Sequence, residues 1–210
     1  EMQGFKSSYD LSYKEYKLGR INLNVTGKYN IQNSLLAASI GLELDIPFTA
    51  IQLGLQEFNG VYRRVDMKGE AAGITVYDDY AHHPTEIKAT LEGFKDSVKR
   101  RIVVLFQPHL YSRTRDFYEE FGKSFFSCDC LILAPIYPAR EQPIPDITSK
   151  LIADAAIQSG HHQVHLVESN SEIVSRTLPL LKEGDILITM GAGNIWKYGE
   201  EILGKLKELC

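Results

Sequence analysis

Cysteine is scarce in this chain: the 210 residues include three, Cys128, Cys130 and Cys210. The number is odd, and no C-x-x-C pair or repeated ligand spacing occurs, so neither a disulfide framework nor a zinc or other metal site is expected. Cys128 and Cys130, two apart, lie beside an apolar strand, where free cysteine behaves as a small buried hydrophobe. A reducing, cytoplasmic setting fits that usage. Long apolar runs are missing too. None approaches the roughly 20 residues that span a bilayer, and the N-terminus has no signal-peptide pattern, so no membrane association is expected. Nor is positive charge in excess. A net charge of −4 gives no general attraction for nucleic acid or an anionic membrane and favours a charged small molecule as the partner. With 44% hydrophobic and 24% charged residues, the chain has the make-up of a globular protein with a sizeable core, one domain plus a smaller piece.

Apolar periodicity organises it. Ile21-Asn22-Leu23-Asn24-Val25 alternates like a strand with one wet face, and Ile31, Leu35, Ala38 and Leu42 predict a helix from about residue 30 to 44. Pro47 opens a shorter helix carrying Ile51 and Leu55. Asn59-Gly60 breaks it, and Arg63-Arg64 lead into a stretch with Gly69 and Gly73 that reads as a connection between domains. From about residue 72 short apolar strands alternate with amphipathic helices. The strands are expected at 74–78, 102–106, 131–134, 164–167 and 185–189, with Ile87, Leu91 and Phe94 on one helical face and Phe117, Phe121 and Phe125 on another. Ser169 and Glu172 form a capping box, and Gly160 and Gly184 sit where helices should stop. The fold class is therefore α/β, a mainly parallel sheet with helices on both faces and ligands gathered outside the carboxyl ends of its strands.

Four polar clusters fall just after predicted strands: Asp78 to His83, Gln107-Pro108-His109 with Ser112 to Arg115, Tyr137 to Glu141, and Gly191 to Asn194. All four should face one rim. Pro84 suits a first helical position and Glu86 a capping carboxylate, which puts the first cluster at the positive end of a helix. His82 and His83 are suited to base chemistry. They point oppositely in extended chain, so they should not chelate one ion together. Arg113 and Arg115 can grip carboxylate or phosphate in bidentate fashion, or serve as surface partners of Asp116 and Glu119. Asn30 and Asn33, one helical turn apart, can read a base, although Asn30 is equally suited to capping. Gly191-Ala192-Gly193 lacks the third glycine of a dinucleotide fingerprint, where Trp196 stands, and it follows the last strand; a tight turn with amides open to an anion is the better reading.

Taken together, Gly27-Lys28-Tyr29-Asn30-Ile31-Gln32-Asn33, Asp78-Asp79-Tyr80-Ala81-His82-His83-Pro84-Thr85-Glu86, Gln107-Pro108-His109 with Ser112-Arg113-Thr114-Arg115, and Met190-Gly191-Ala192-Gly193-Asn194 resemble the Mur ligases from about residue 19 onward. The resemblance implies that residues 1–70 are the C-terminal part of a central α/β ATPase domain and that 71–210 are a Rossmann-like third domain. It implies a part of an ATP- and Mg2+-dependent ligase of peptidoglycan precursor synthesis, which joins L-alanine to UDP-N-acetylmuramate through an acyl phosphate. It further implies ATP contacts at Asn30, Asn33, Arg64 and Asp79, and substrate contacts at Tyr80, His82, His83, Arg113 and Arg115. Tyr29 stands where many relatives carry histidine, and Leu110 where some carry arginine. No G-x-x-G-K-[ST] loop occurs; such a loop, the magnesium ligands and the UDP-binding domain are expected upstream of Glu1, and this piece is expected to be inactive alone. The rivals are a relative that attaches a ready-made tripeptide to the same sugar nucleotide, and a non-catalytic nucleotide-sugar binding module.

Overall fold

The computed structural model describes residues 2–3 and 6–209, so Cys210 lies outside the described residues. Two compact units are present, one comprising residues 1–61 and 92–98, the other 62–91 and 99–210. In the first, β1 (Met2–Gln3), β2 (Lys6–Tyr13) and β3 (Tyr16–Leu23) pair antiparallel in that order, followed by α1 (Lys28–Glu43) and α2 (Phe48–Glu57). Leu11, Ile21 and Leu23 of the sheet close on Ala38 and Ile51 of the helices. The strand expected near Ile21 begins earlier, because Lys14, at φ 55°, turns the chain back along β2. Helix α1 starts at Lys28 with Gly27 as its N-cap, so Asn30 lies in its first turn and is not the cap.

The second unit holds β4 (Asp66–Ala71), β5 (Ile74–Asp79), β6 (Ile102–Phe106), β7 (Cys130–Leu133), β8 (Val164–Leu166) and β9 (Ile186–Met190) in the order β4-β5-β9-β6-β7-β8. All neighbours run parallel except β4, which is antiparallel to β5. The unit's helices are α4 (Tyr111–Ser124), α5 (Lys150–Gln158), α6 (Ile173–Thr177) and α7 (Ile195–Glu208), together with the start of α3 (Pro84–Ser97), whose residues from 92 on are counted with the first unit. Connections from β5 through β6 and β7 to β8 step one way along the sheet and the return from β8 to β9 steps the other. Right-handed crossovers then put α3, α4 and α5 on one face and α6 on the other. Alternation along the strands obeys that division. Val103, Leu105, Cys130, Ile132 and Leu187 pack with Ile202, Leu203 and Leu206 of α7, while Phe106 points oppositely onto Phe121 and Phe125, with ring centroids 5.5 and 5.1 Å away. Both Cys128 and Cys130 are buried and unbridged.

Three sequence readings need correction. Residues 66–71, read as a connection, form the edge strand β4; Gly69 sits at φ 150° beside a bulge between Met67 and Gly69, which hides the alternation that would reveal a strand. Phe117 is not core. Helix α4 kinks there (φ −128°, ψ 16°), leaving the ring 37% exposed while Phe121 and Phe125 are fully buried. Ser169 caps its short 3-10 turn through the Ser171 amide at 3.4 Å, a shorter reach than the expected box.

Helices α4 and α5 approach so closely at Gly122 that a Cβ there would lie 2.6 Å from the Ala155 carbonyl carbon and 2.8 Å from the Ala156 nitrogen. Backbone cannot yield as a side chain can. Gly122→Ala is therefore expected to destabilise the second unit by about 1–3 kcal/mol, measured as a lowered urea midpoint; an unchanged midpoint would mean that the helices separate freely.

Candidate functional site

β5 ends in two buried carboxylates. Asp78 accepts from Arg63 Nε at 2.7 Å and from Thr189 Oγ1 of β9 at 2.8 Å. The rest of the Arg63 guanidinium is directed at the turn after β9, with Nη2 donating to the Gly191 carbonyl at 2.6 Å and Nη1 to that of Gly193 at 3.3 Å. Arg63 is only 9% exposed, so each of its donor groups meets an acceptor fixed by the sheet. Asp79, 1% exposed, accepts from the amides of Val65 at 2.9 Å and Ala81 at 2.8 Å. Burial pushes its carboxyl up to about 6, against the pull of those two amides and of Arg64. Arg63 and Val65 both have left-handed backbone, at φ 59° and 51°, costly for a β-branched valine. The Asp78 and Asp79 contacts hold that turn.

Glu86 caps α3 as its position predicts, accepting from the His82 and His83 amides at 3.0 and 3.2 Å. Burial acts to raise its carboxyl, but the His82 amide, the His82 ring, Arg64 and the His83 amide outweigh it and hold the group below the usual range. His82 Nδ1 faces two acceptors, the Tyr80 carbonyl at 2.9 Å and Glu86 Oε2 at 3.3 Å. The proton therefore belongs on Nδ1, and Nε2 is the nitrogen left for a ligand. Its ring meets Tyr80 at 5.2 Å and His109 at 5.9 Å.

The connections reverse direction between β9 and β6, the kind of crevice in which open α/β sheets bind ligands. Gly191 and Gly193 let the two tips approach: a Cβ on Gly191 would meet the Gln107 carbonyl oxygen at 2.7 Å, and one on Gly193 would meet Gln107 Oε1 at 2.6 Å and the Tyr137 ring at 2.7 Å. The Gly191 amide is spent on the Asp79 carbonyl at 3.1 Å, so it is not the open anion contact expected of it. Tyr137 stacks on His109, centroids 5.7 Å apart and planes 16° from parallel. Buried polar atoms without partners collect here: Gln107 Oε1, His109 Nδ1, Arg113 Nη1 and Asn194 Oδ1. Such groups are few in folded proteins, and each costs about 1–3 kcal/mol unless something binds it. Asn194 is the N-cap residue of α7 and yet makes no side-chain cap. Burial, then the charge of Arg113, lowers the proton affinity of His109.

A family model described as Mur ligase, glutamate ligase domain, matches residues 63–193. The chain belongs to the Mur ligase family. A relative named UDP-N-acetylmuramate--L-alanine ligase, from Geotalea daltonii, is 46% identical over 206 residues, 98% of this chain and 45% of its own length. The chain thus spans less than half the length of the curated Mur ligase it matches. Two solved structures share the fold. UDP-N-acetylmuramate-alanine ligase from Thermotoga maritima is 22% identical with a TM-score of 0.82, covering 100% of this chain and 45% of that one. Murein peptide ligase from Psychrobacter arcticus is 22% identical with a TM-score of 0.67, covering 99% and 43%.

Within this Mur ligase unit, Tyr80, His82, His109 and Arg113 come together, with Arg64 over the Tyr80 ring at 5.6 Å and near Glu86 at 3.7 Å. His83 turns elsewhere, onto Phe117 at 5.3 Å, its Nδ1 accepting from the Thr85 amide at 3.4 Å. Arg115 is exposed and paired with Asp116 at 2.7 Å, the surface alternative left open by its sequence. Asp79, expected at ATP, is buried, with its carboxylate turned to the Val65 and Ala81 amides. Asn30 and Asn33 belong to the first unit, and Asn30 Nδ2 donates to the Thr26 carbonyl at 2.7 Å. Sequence reasoning missed Arg63, Gln107, Tyr137 and Asn194 as individual site residues. The strand-tip rule flagged the last three only as clusters; for Arg63, the signal was an acid pair at a strand end needing a buried cation. Among the described residues, no group of three or more metal-ligating side chains is found.

Removing Arg63 leaves Asp78 buried and unpaired, so Arg63→Ala is expected to cost about 3–5 kcal/mol in urea unfolding, and Arg64→Ala less than about 1 kcal/mol. For Asp79 the folded carboxyl lies at about 6, above its unfolded value. Its contribution is then most favourable below about pH 4 and declines as pH rises through 6, by about 3 kcal/mol in all. Subtracting the Asp79→Asn stability profile from that of the native chain should reveal this fall between pH 4 and 7; a flat difference would contradict it.

Proposed function

We propose that this chain is the C-terminal portion of an ATP-dependent ligase that joins L-alanine to UDP-N-acetylmuramate, in the cytoplasm, during peptidoglycan precursor synthesis. In that reaction the muramoyl carboxylate takes a phosphoryl group from ATP, releasing ADP, and the alanine amine then displaces phosphate to form the amide. The observation that carries the reading is the set of unpaired buried donors and acceptors at one rim, Arg113 Nη1 with Gln107 Oε1 and Asn194 Oδ1, in a chain 46% identical to a relative of that name. A guanidinium suits a carboxylate or an acyl phosphate, and amide oxygens suit an amine. His82 Nε2 and Tyr80 border the same space, and Arg64, a half-exposed guanidinium beside Glu86 and the Tyr80 ring, is the group assigned to nucleotide phosphate.

Residues 1–70 contribute Asn30 and Asn33 toward adenine, with the third, Rossmann-like domain taking over from about residue 71. Asp79 supports the nucleotide by holding the Arg63–Val65 turn. The magnesium ligands, like the phosphate loop, are assigned to the rest of the protein. Two results test the reading. The full-length protein should form an amide from L-alanine and not from a ready-made tripeptide, and the 210-residue chain alone should not turn over ATP. In the full-length protein, Arg113→Ala should lower kcat/KM for L-alanine about 10- to 100-fold, whereas Arg115→Ala, removing an exposed pair, should change it less than about threefold. Tripeptide ligation, or equal effects at the two arginines, would overturn this assignment.

A further inference from the structure

Helix α4 opens without a local cap. Its N-cap residue is Leu110, held at φ 74°, which offers no side-chain acceptor, and no acidic residue occupies the first turn. The first-turn amides are served from elsewhere. Glu141, 29 residues on in the loop after β7, accepts from the Ser112 amide at 3.0 Å and from the Ser112 hydroxyl, and the Tyr111 amide also donates to it. That loop is itself fixed against the β6 tip. Leu110 N donates to the Tyr137 carbonyl at 3.0 Å, Tyr137 N to the Pro108 carbonyl at 2.8 Å, and Glu141 N to the Pro138 carbonyl at 2.9 Å. His109 and Tyr137 form a parallel bridge beneath their stacked rings. Arg113 is the residue after the clamped Ser112, and its Nη1 is buried with no partner.

We propose that Glu141 is a positioning residue for Arg113: a carboxylate from a distant loop closes the exposed start of α4 and thereby sets where the unpaired guanidinium points. Two consequences follow from the geometry. A protein carboxylate already occupies the positive end of α4, so an anionic substrate group is met by the Arg113 side chain and not by the helix amides. The loop from Tyr137 to Glu141 and the start of α4 also move as one piece, because each supplies the other's missing hydrogen bonds. The activity arm of the test rests on the ligase reading above; the amide arm does not.

In the 210-residue chain, hydrogen exchange at the Tyr111 and Ser112 amides should quicken about five- to tenfold in Glu141→Ala. It should quicken less in Glu141→Gln, which keeps one acceptor oxygen, and should not change in Arg113→Ala. In the full-length ligase, Glu141→Ala should raise KM for L-alanine about tenfold, with Glu141→Gln restoring part of the loss. The same substitution should have no further effect when Arg113 is already alanine. That non-additivity separates positioning from a general loss of stability, which would act equally on both backgrounds. Unchanged exchange in Glu141→Ala, or an undiminished effect in the Arg113→Ala background, would overturn the proposal. If the native full-length protein ligates no alanine, the functional reading falls while the exchange result still judges the clamp.

Discussion

The charge of Arg63 dictates most of what surrounds it. A guanidinium removed from water is tolerated only when fixed acceptors face it, and this one meets a carboxylate at the end of β5 and two carbonyls in the turn after β9. Those two strands are neighbours in the sheet, so one side chain joins the segment entering the unit to the tips of its central strands. The left-handed backbone at Arg63 and Val65 is the accompanying strain, and Asp79 holds it by accepting from Val65 and Ala81. Arg64 is then presented on the outside of the same turn, over the Tyr80 ring.

The other side of the crevice is built on an opposite plan. Around Arg63 the hydrogen-bonding groups find partners; around Gln107, His109, Arg113 and Asn194 buried atoms lack them. A completed network gives a stable scaffold, and incomplete valences beside it give a place with affinity to spare. The free groups include a cationic donor and two amide oxygens, the complement of a molecule that carries both an anion and an amine. Burial and the nearby arginine both disfavour a charge on His109.

Much of this was legible in the residues. The βα alternation after residue 72 gave the parallel sheet, because fully buried strands appear as short apolar runs, and Pro84 with Glu86 marked the start of α3. The strand-end rule brought His82, His109 and Arg113 to one rim. What escaped has physical causes. β4 is a bulged edge strand whose glycine breaks the alternation, and Phe117 leaves the core because α4 kinks beneath it. Asp79 and Arg115 match the motif by type, but motif type does not report burial or a neighbouring Asp116. Arg63 could be found only by asking what neutralises an interior Asp78, a question about three dimensions.

The paired glycines after β9 invite comparison with nucleotide-binding turns, yet their smallness has a different cause. Gly193 leaves room for the Gln107 amide and the Tyr137 ring, and Gly191 leaves room for the Gln107 backbone. Position 193 and position 107 therefore behave as a single inherited unit: a larger residue at one can be accepted only by a chain that has surrendered the amide at the other, and with it one of the acceptors that give the crevice its chemistry.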